Sequence, residues 1–202
     1  MNRTTTLVWA AAFLAAGCAP WPRTTFVPEV PPQALVHSDC AFNTHVPVAA
    51  RLAVGQAVAL IGITQTGDGR RHAELRLDVP TGTTLRFEDD RLEVRRPGGD
   101  LLATGRFAGV SLVDNPVVNL SSPVADVRAR QLPLQAPLVG GEVGVGAMRS
   151  PRHFWLAAEI AVPDDGTFEL VLPALRDDTG AVHRLRLRFK VQKLLAVATI
   201  NC

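Results

Sequence analysis

Apolar residues at every second position of several segments constrain this chain more than any other feature of its sequence. Between His72 and Val79 every second residue is apolar, and the same period of two recurs from His153 to Val162. Successive side chains of a β-strand point to opposite faces of the sheet. Each segment therefore predicts a strand with one buried face and one solvated face.

Turn residues separate the alternating segments. Pro80-Thr81-Gly82, Pro97-Gly98-Gly99-Asp100 and Asp177-Asp178-Thr179-Gly180 are three of these breaks. Many short strands divided by such turns predict an all-β, antiparallel two-sheet sandwich, immunoglobulin-like or related, with a small β-barrel as the alternative. The apolar run over residues 52–64 is expected to be one buried strand bent at its glycines.

Composition limits the function classes open to this fold. Hydrophobic residues make up 47% of the 202 residues, which is enough for a sizeable core. The formal net charge of +2 provides no general attraction to nucleic acid. Aromatic residues are 5% of the chain and tyrosine is absent, so stacking surfaces for bases or sugars are scarce. We expect one folded domain and no nucleic-acid partner.

The N-terminal segment predicts export. It begins Met1-Asn2-Arg3, is apolar over residues 7–16, and ends on small residues before Cys18. A short basic start, an apolar stretch and small residues are typical of a secretory signal. The apolar stretch of about ten residues is too short to cross a bilayer, which takes about 20.

The residues Leu14-Ala15-Ala16-Gly17-Cys18 resemble the lipobox of bacterial lipoproteins. The resemblance implies that residues 1–17 are a signal peptide that is removed and that Cys18 carries the lipid. By resemblance to lipoproteins of bacteria with two membranes, the absence of Asp after Cys18 implies export to the outer membrane. The expected location is the bacterial cell envelope, with the protein held by its N-terminal lipid and facing the periplasm.

Residues 18–38 are predicted to be a tether, and residues 39–202 a single domain. The segment after Cys18 is rich in proline, which favours an extended, semi-rigid chain over helix or sheet. Trp21 and Phe26 in it either contact the membrane interface or dock on the domain. The prolines are Pro20, Pro22, Pro28, Pro31 and Pro32.

Two cysteines remain for pairing once Cys18 is assigned to lipid. Cys40 and Cys202 lie in an exported chain, so we predict a disulfide between them. It would close nearly the whole domain and stabilise it by roughly 5 kcal/mol. The alternative is a metal site formed by both cysteines with His37 and His45, but the spacing matches no usual zinc pattern. We predict no metal site and no cofactor.

One strand near the C-terminus carries a basic stripe. Four cationic residues at alternate positions share one face: Arg184, Arg186, Arg188 and Lys190. This stripe either binds an anionic partner or is a solvated face, paired across strands with acidic residues such as Glu159, Glu169 or Asp178.

Catalytic patterns are absent from the sequence. Ser150 and three other serines have five histidines as potential bases, but none lies in a Gly-x-Ser-x-Gly or Ser-x-x-Lys pattern. Trp155 beside His153 either lines a pocket or packs on the surface. The Asp-Asp pairs each stand beside a turn, where Asp is favoured for local hydrogen bonds. We therefore predict that the protein is not an enzyme.

The sequence supports two functions. The first is a lipid-anchored, non-catalytic envelope interaction module that presents its β domain to a partner protein in the periplasm. The alternative is a carrier that holds a small hydrophobic ligand or lipid in a cavity between the sheets. A third, a hydrolase, would require Ser, His and Asp within hydrogen-bonding reach in a cleft.

Overall fold

The computed structural model describes residues 21–37, 46–113, 130–145 and 148–196. These residues form β-strands throughout, with a single 3-10 turn at Pro32–Ala34. The strands are β1 (Trp21–Pro28), β2 (Leu35–His37), β3 (Pro47–Val54), β4 (Ala57–Gln65), β5 (Arg71–Val79), β6 (Thr84–Phe87), β7 (Arg91–Arg95), β8 (Leu101–Arg106), β9 (Val110–Val113), β10 (Arg130–Leu132), β11 (Leu138–Val139), β12 (Glu142–Val145), β13 (Met148–Glu159), β14 (Thr167–Val171), β15 (Leu175–Asp177), β16 (Val182–His183) and β17 (Arg186–Ala196).

The strands form three antiparallel sheets. The large sheet has the order β10-β9-β13-β5-β4-β3-β2, with β12 paired to the start of β13. A five-stranded sheet has the order β1-β17-β14-β7-β8, and a small sheet the order β11-β6-β15-β16. Within the described ranges each sheet is open and none closes on itself. The predicted all-β antiparallel sandwich is confirmed, and the small-barrel alternative is wrong.

One hydrophobic core lies between the large and five-stranded sheets. The inward residues of β5, namely Ala73, Leu75, Leu77 and Val79, are all buried, as the alternation predicts. Phe26, Phe168 and Phe189 pack against them from the five-stranded sheet. The rings of Phe168 and Phe189 stack with centroids 5.7 Å apart, and Phe26 meets Phe168 edge-on at 6.2 Å. Aromatic pairs of this kind add to the stability that burial supplies.

Strand β1 corrects the predicted domain boundary. Within the segment predicted as a tether, β1 pairs with β17 from Trp21 opposite Ala196 to Pro28 opposite Phe189, and β2 pairs with β3. Phe26 docks on the domain and is 2% exposed. Proline is tolerated here because β1 is an edge strand, where a missing N–H leaves no central hydrogen bond unmade.

The apolar run over residues 52–64 is also corrected. It is a hairpin, in which β3 and β4 pair from Ala49 opposite Gly62 to Val54 opposite Ala57. The turn consists of Gly55 and Gln56, and Gly55 has φ +58°. Two-residue hairpin turns favour glycine at a position with positive φ, so this glycine reverses the chain instead of bending a single strand.

Candidate functional site

The outer face of the large sheet is formed mainly by β5 and β13. Four outward residues of β5 lie opposite four outward residues of β13 in register. The pairs are His72 with Glu159, Glu74 with Ala157, Arg76 with Trp155, and Asp78 with His153. This face therefore combines acidic, basic, imidazole and indole groups on a rigid sheet.

A recess of about 370 Å³ opens on this face beside Glu74. Its floor is low because the residues opposite Glu74 on the two neighbouring strands are Gly62 and Ala157. A Cβ at Gly62 would lie 2.9 Å from the Val48 carbonyl oxygen, so no side chain fits there. The lining residues are Thr64, Thr66, His72, Glu74, Ala108, Gly109, Ser111, Gln131, Trp155 and Ala157.

Glu74 is the acidic residue in the lining of the recess. Burial raises its pKa above the ordinary value, and the Thr64 hydroxyl, which donates to Oε1 at 2.7 Å, offsets part of that rise. Among the residues that the structure describes, no cationic side chain forms an ion pair with Glu74. Its neighbour Arg76 is directed to Asp78, whose oxygens accept from Nε at 2.7 Å and Nη2 at 3.0 Å.

Trp155 forms a wall of the recess. Its side chain is 5% exposed although it projects from the outer face of β13. Beside it, the Gln131 amide of β10 donates to the Ser111 hydroxyl of β9 at 2.7 Å. Of the two interpretations that the sequence allowed for Trp155, the structure places it in the lining of a pocket.

A second polar cluster joins Ser150, His153 and Asp78. The Ser150 Oγ lies 3.3 Å from His153 Nε2, and His153 Nδ1 lies 2.7 Å from Asp78 Oδ1. Burial raises the pKa of Asp78, but hydrogen bonds from His153 and Arg76 outweigh it and lower the pKa to about 2. Sequence patterns selected no serine–histidine pair, whereas the fold brings this one together with an aspartate 75 residues away.

This cluster has the serine–histidine–aspartate contacts that a hydrolase requires. A serine nucleophile also needs donors for the oxyanion and a cleft for the substrate. The recess beside Glu74 and a second one of about 490 Å³, near Arg71, are lined by other residues. The Ser150 hydroxyl also has the Val143 carbonyl oxygen as an acceptor, at 3.4 Å. The geometry is that of a polar network that fixes β5, β12 and β13 to one another.

The basic stripe lies on the outer face of the five-stranded sheet. Arg186 and Arg188 both approach Glu169, at 3.8 and 3.1 Å, and Arg188 also approaches Glu29 at 3.9 Å. Arg184 precedes β17 and lies 3.7 Å from Asp89. Lys190 lies opposite Thr167 of β14. Glu169 was among the predicted partners of the stripe, and Glu29 and Asp89 were not.

Acidic residues at the turns accept local hydrogen bonds. Asp177 Oδ1 accepts from the Thr179 hydroxyl at 2.6 Å and from two backbone amides. The side-chain bond from Thr179, then that from His183, lowers the pKa of Asp177 to about 2. This is the turn chemistry that the Asp-Asp pairs predict.

Three of the predicted site residues lie outside the described residues. They are Cys18, Cys40 and Cys202, so lipidation and the disulfide stay predictions. Of the alternative metal ligands, His37 ends β2, and His45 lies outside as well. In the described ranges no three His, Cys, Asp or Glu side chains are grouped so that they could hold a metal ion. The same ranges contain no helix of the length and apolarity that crossing a membrane requires.

Sequence reasoning missed Glu74, which it assigned to an ordinary solvated face. What distinguishes Glu74 is that Gly62 and Ala157 lie opposite it on the two neighbouring strands. These neighbours can be identified only when the register of the strands is known. Comparison of the chain with protein-family models, with curated proteins and with solved structures finds no match in any of the three.

Proposed function

We propose that this protein is a lipid-anchored, non-catalytic interaction module of the bacterial cell envelope, and that the outer face of the large sheet is its binding face. One observation carries the proposal: this face has a recess of about 370 Å³ with a half-buried carboxylate and an indole in its lining. Binding sites are typically concave, with few polar groups that fix orientation.

The recess is built on rigid elements. Glu74 and Trp155 project from β5 and β13, which pair with each other over eight residues. Strand β5 is also paired along its other edge with β4. Groups on paired strands hold their geometry more precisely than groups on loops, which favours recognition of a specific partner.

The alternative function, a carrier of a small hydrophobic ligand, has less support. A carrier needs a cavity of several hundred Å³ between the sheets. Phe168, Phe189 and Leu170 fill the five-stranded side of the interior, and Leu75 and Leu77 fill the other side. The recesses beside Glu74 and near Arg71 are lined by groups at the outer face or at strand ends.

Anchoring depends on Cys18, which the lipobox-like residues single out. The Cys18→Ser variant is expected to keep its precursor size and to leave the membrane fraction. If Cys18→Ser changed neither the apparent size nor the membrane fractionation of the protein, the lipid anchor would be contradicted. For the disulfide, we expect no free thiol from Cys40 or Cys202 in the unreduced, denatured protein, and two free thiols would contradict it.

Photo-crosslinking in intact cells tests the binding face. A photoreactive amino acid replaces Thr66 at the rim of the recess, and the matched control replaces Thr104 on the outer face of the five-stranded sheet. Both threonines are exposed. We expect one reproducible protein adduct from position 66, absent from position 104 and reduced when Ala157→Leu fills the recess.

The outcomes separate the two functions. Equal adducts from both positions, or an adduct that Ala157→Leu leaves unchanged, would contradict the assignment of the binding face. Lipid that co-purifies with the protein in stoichiometric amount, with no protein adduct at either position, would favour the carrier.

A further inference from the structure

Charge balance in the recess identifies the chemistry of its ligand. Glu74 is half-buried among Thr64, Trp155 and Ala157, and no cation neutralises it within the described residues. A partly desolvated carboxylate gains more from a cationic ligand than an exposed one, because the surrounding dielectric screens the attraction less. A neutral or anionic ligand would leave this charge without a counterion.

The hydrogen bond at Glu74 discriminates between the two cationic side chains of proteins. The Thr64 hydroxyl donates to Oε1 at 2.7 Å and so takes one of the two acceptor positions of that oxygen. A guanidinium binds best as a fork that uses both carboxylate oxygens, whereas an ammonium is a compact charge with three donors directed apart. Oε2 of Glu74 and the hydroxyl of Ser111 are further acceptors in the lining of the recess.

Trp155 supplies the remaining part of a site for an alkylammonium group. Its indole lines the recess next to Ser111 and Ala157. An indole attracts cations to its face and also packs against the methylene groups of a lysine stem. The recess therefore offers an acidic end and an apolar wall, which match the two parts of a lysine side chain.

We propose that the recess beside Glu74 binds the side-chain ammonium of a lysine presented by the partner protein, with Glu74 as its counterion and Trp155 against its stem. This inference rests on the proposed function and specifies the chemistry of the same face. According to this inference, the partner has an exposed lysine whose side chain enters the recess.

Titration of the full chain, purified in detergent, with a blocked lysine tests the proposal. The probe is Nα-acetyl-lysine methylamide, the uncharged control is Nα-acetyl-norleucine methylamide, and binding is followed by NMR shifts of the backbone amides of Ser111, Gln131 and Trp155. We expect saturable shifts with the lysine probe and binding at least about tenfold weaker with the norleucine probe.

Two variants and a matched control assign the effect to residues. Glu74→Gln keeps the shape and removes the charge, and Ala157→Leu fills the floor at an exposed position. Each should weaken binding at least about tenfold. Ala53→Leu makes the same change at an exposed position of the same sheet face, away from the recess, and should leave binding unchanged. Circular dichroism and thermal melting confirm that each variant is folded.

Several outcomes overturn the proposal. Equal binding of both probes, or full binding by Glu74→Gln, would remove the role of the ammonium. Tighter binding of Nα-acetyl-arginine methylamide would assign a guanidinium instead. Loss of binding in Ala53→Leu would show an effect outside the recess. If the lysine probe does not bind but position 66 still crosslinks to a protein, this inference is wrong and the proposed function stands. If the probe does not bind and position 66 gives no adduct, both the inference and the proposed function are wrong.

Discussion

The two outer faces of the sandwich carry charge in different ways. On the five-stranded sheet, Glu93 lies within ion-pair distance of Arg91 and Arg95, and Glu169 within that of Arg186 and Arg188. On the large sheet, Asp78 has two such partners, but Glu74, two residues away, has none among the described residues. These carboxylates of the five-stranded sheet have cationic neighbours, whereas Glu74 on the large sheet has no counterion among the described residues.

This difference shows why a row of charges in the sequence is a poor guide to a binding site. The basic stripe is the most conspicuous charged pattern of the chain, yet three of its four cations have acidic neighbours. The recess has one carboxylate, that of Glu74, which lies in an ordinary alternating segment of the sequence and belongs to no motif. Exposed ion pairs contribute little and mainly keep a surface solvated.

The largest expected effect is that of Asp78→Asn. Arg76 and His153 both depend on this carboxylate, and all three side chains are largely buried. Removing one partner of a buried ionic cluster leaves the others uncompensated and should lower the free energy of unfolding by about 3 kcal/mol. Urea denaturation at neutral pH measures it, and a loss below about 1 kcal/mol would mean that the cluster is as weak as an exposed one.

The pH dependence of the same variant gives a second check. The pKa of Asp78 is lowered from 3.8 to about 2, so its contribution is present above pH 3.8 and is lost as the pH falls toward 2. We expect the melting temperature of the unmodified chain to decrease across this window more steeply than that of Asp78→Asn.

On the other face, Glu169→Gln should have a smaller effect. Its partners Arg186 and Arg188 are 61% and 47% exposed, so water solvates them once the carboxylate is neutralised. We expect a loss of about 1 kcal/mol or less. The same urea titration measures it, and a loss equal to that of Asp78→Asn would remove the contrast between the two faces.

Glu74→Gln should have an effect of opposite sign. Burial raises the pKa of Glu74 above 4.5, so the folded state holds the proton more tightly than the unfolded state. Stability from this group is present below pH 4.5 and is lost as the pH rises through the folded pKa. We expect the variant to gain less than about 1 kcal/mol at pH 7 and nothing at pH 4.

Thermal melting of this variant at the two pH values tests the sign. A loss of stability at pH 7 would indicate that the carboxylate is already neutralised by a group of this chain. In that case the recess would resemble the five-stranded face.

The smallest expected effect is on Ser150. Because Ser150 lines neither of the two recesses described above, its hydroxyl should not react with a fluorophosphonate probe, and the intact mass of the protein should stay unchanged. An adduct that forms on the chain and is absent from Ser150→Ala would contradict the non-catalytic function. The Ser150–His153–Asp78 cluster would then be catalytic machinery, not a structural network.

Patterns that depend on neighbours in sequence were predicted correctly. The alternation over residues 72–79 predicts a half-buried strand, and β5 shows alternating burial along its length. The alternation after His153 likewise corresponds to β13. Burial of one side of a strand fixes a period of two without reference to the rest of the molecule.

Features that depend on distant pairing were not predicted. Pro22 and Pro28 favour an isolated extended chain, but β17 provides a partner edge that accepts them. The recess requires Gly62 and Ala157 to stand on either side of Glu74, which only the registers of β4 and β13 determine. A single sequence contains the residues of such a site but not their adjacency.

The start of β1 at Trp21 has a consequence for how the domain would sit in the cell. Two residues, Ala19 and Pro20, lie between Cys18 and Trp21, and three residue steps of an extended chain cover at most about 3.5 Å each, roughly 10 Å in all. Under the proposed lipid attachment, the sandwich would be held close to the membrane surface, because the segment that joins it to the lipid is short. A partner in the same membrane would then meet the domain at a raised effective concentration, so a weak individual contact would suffice for binding.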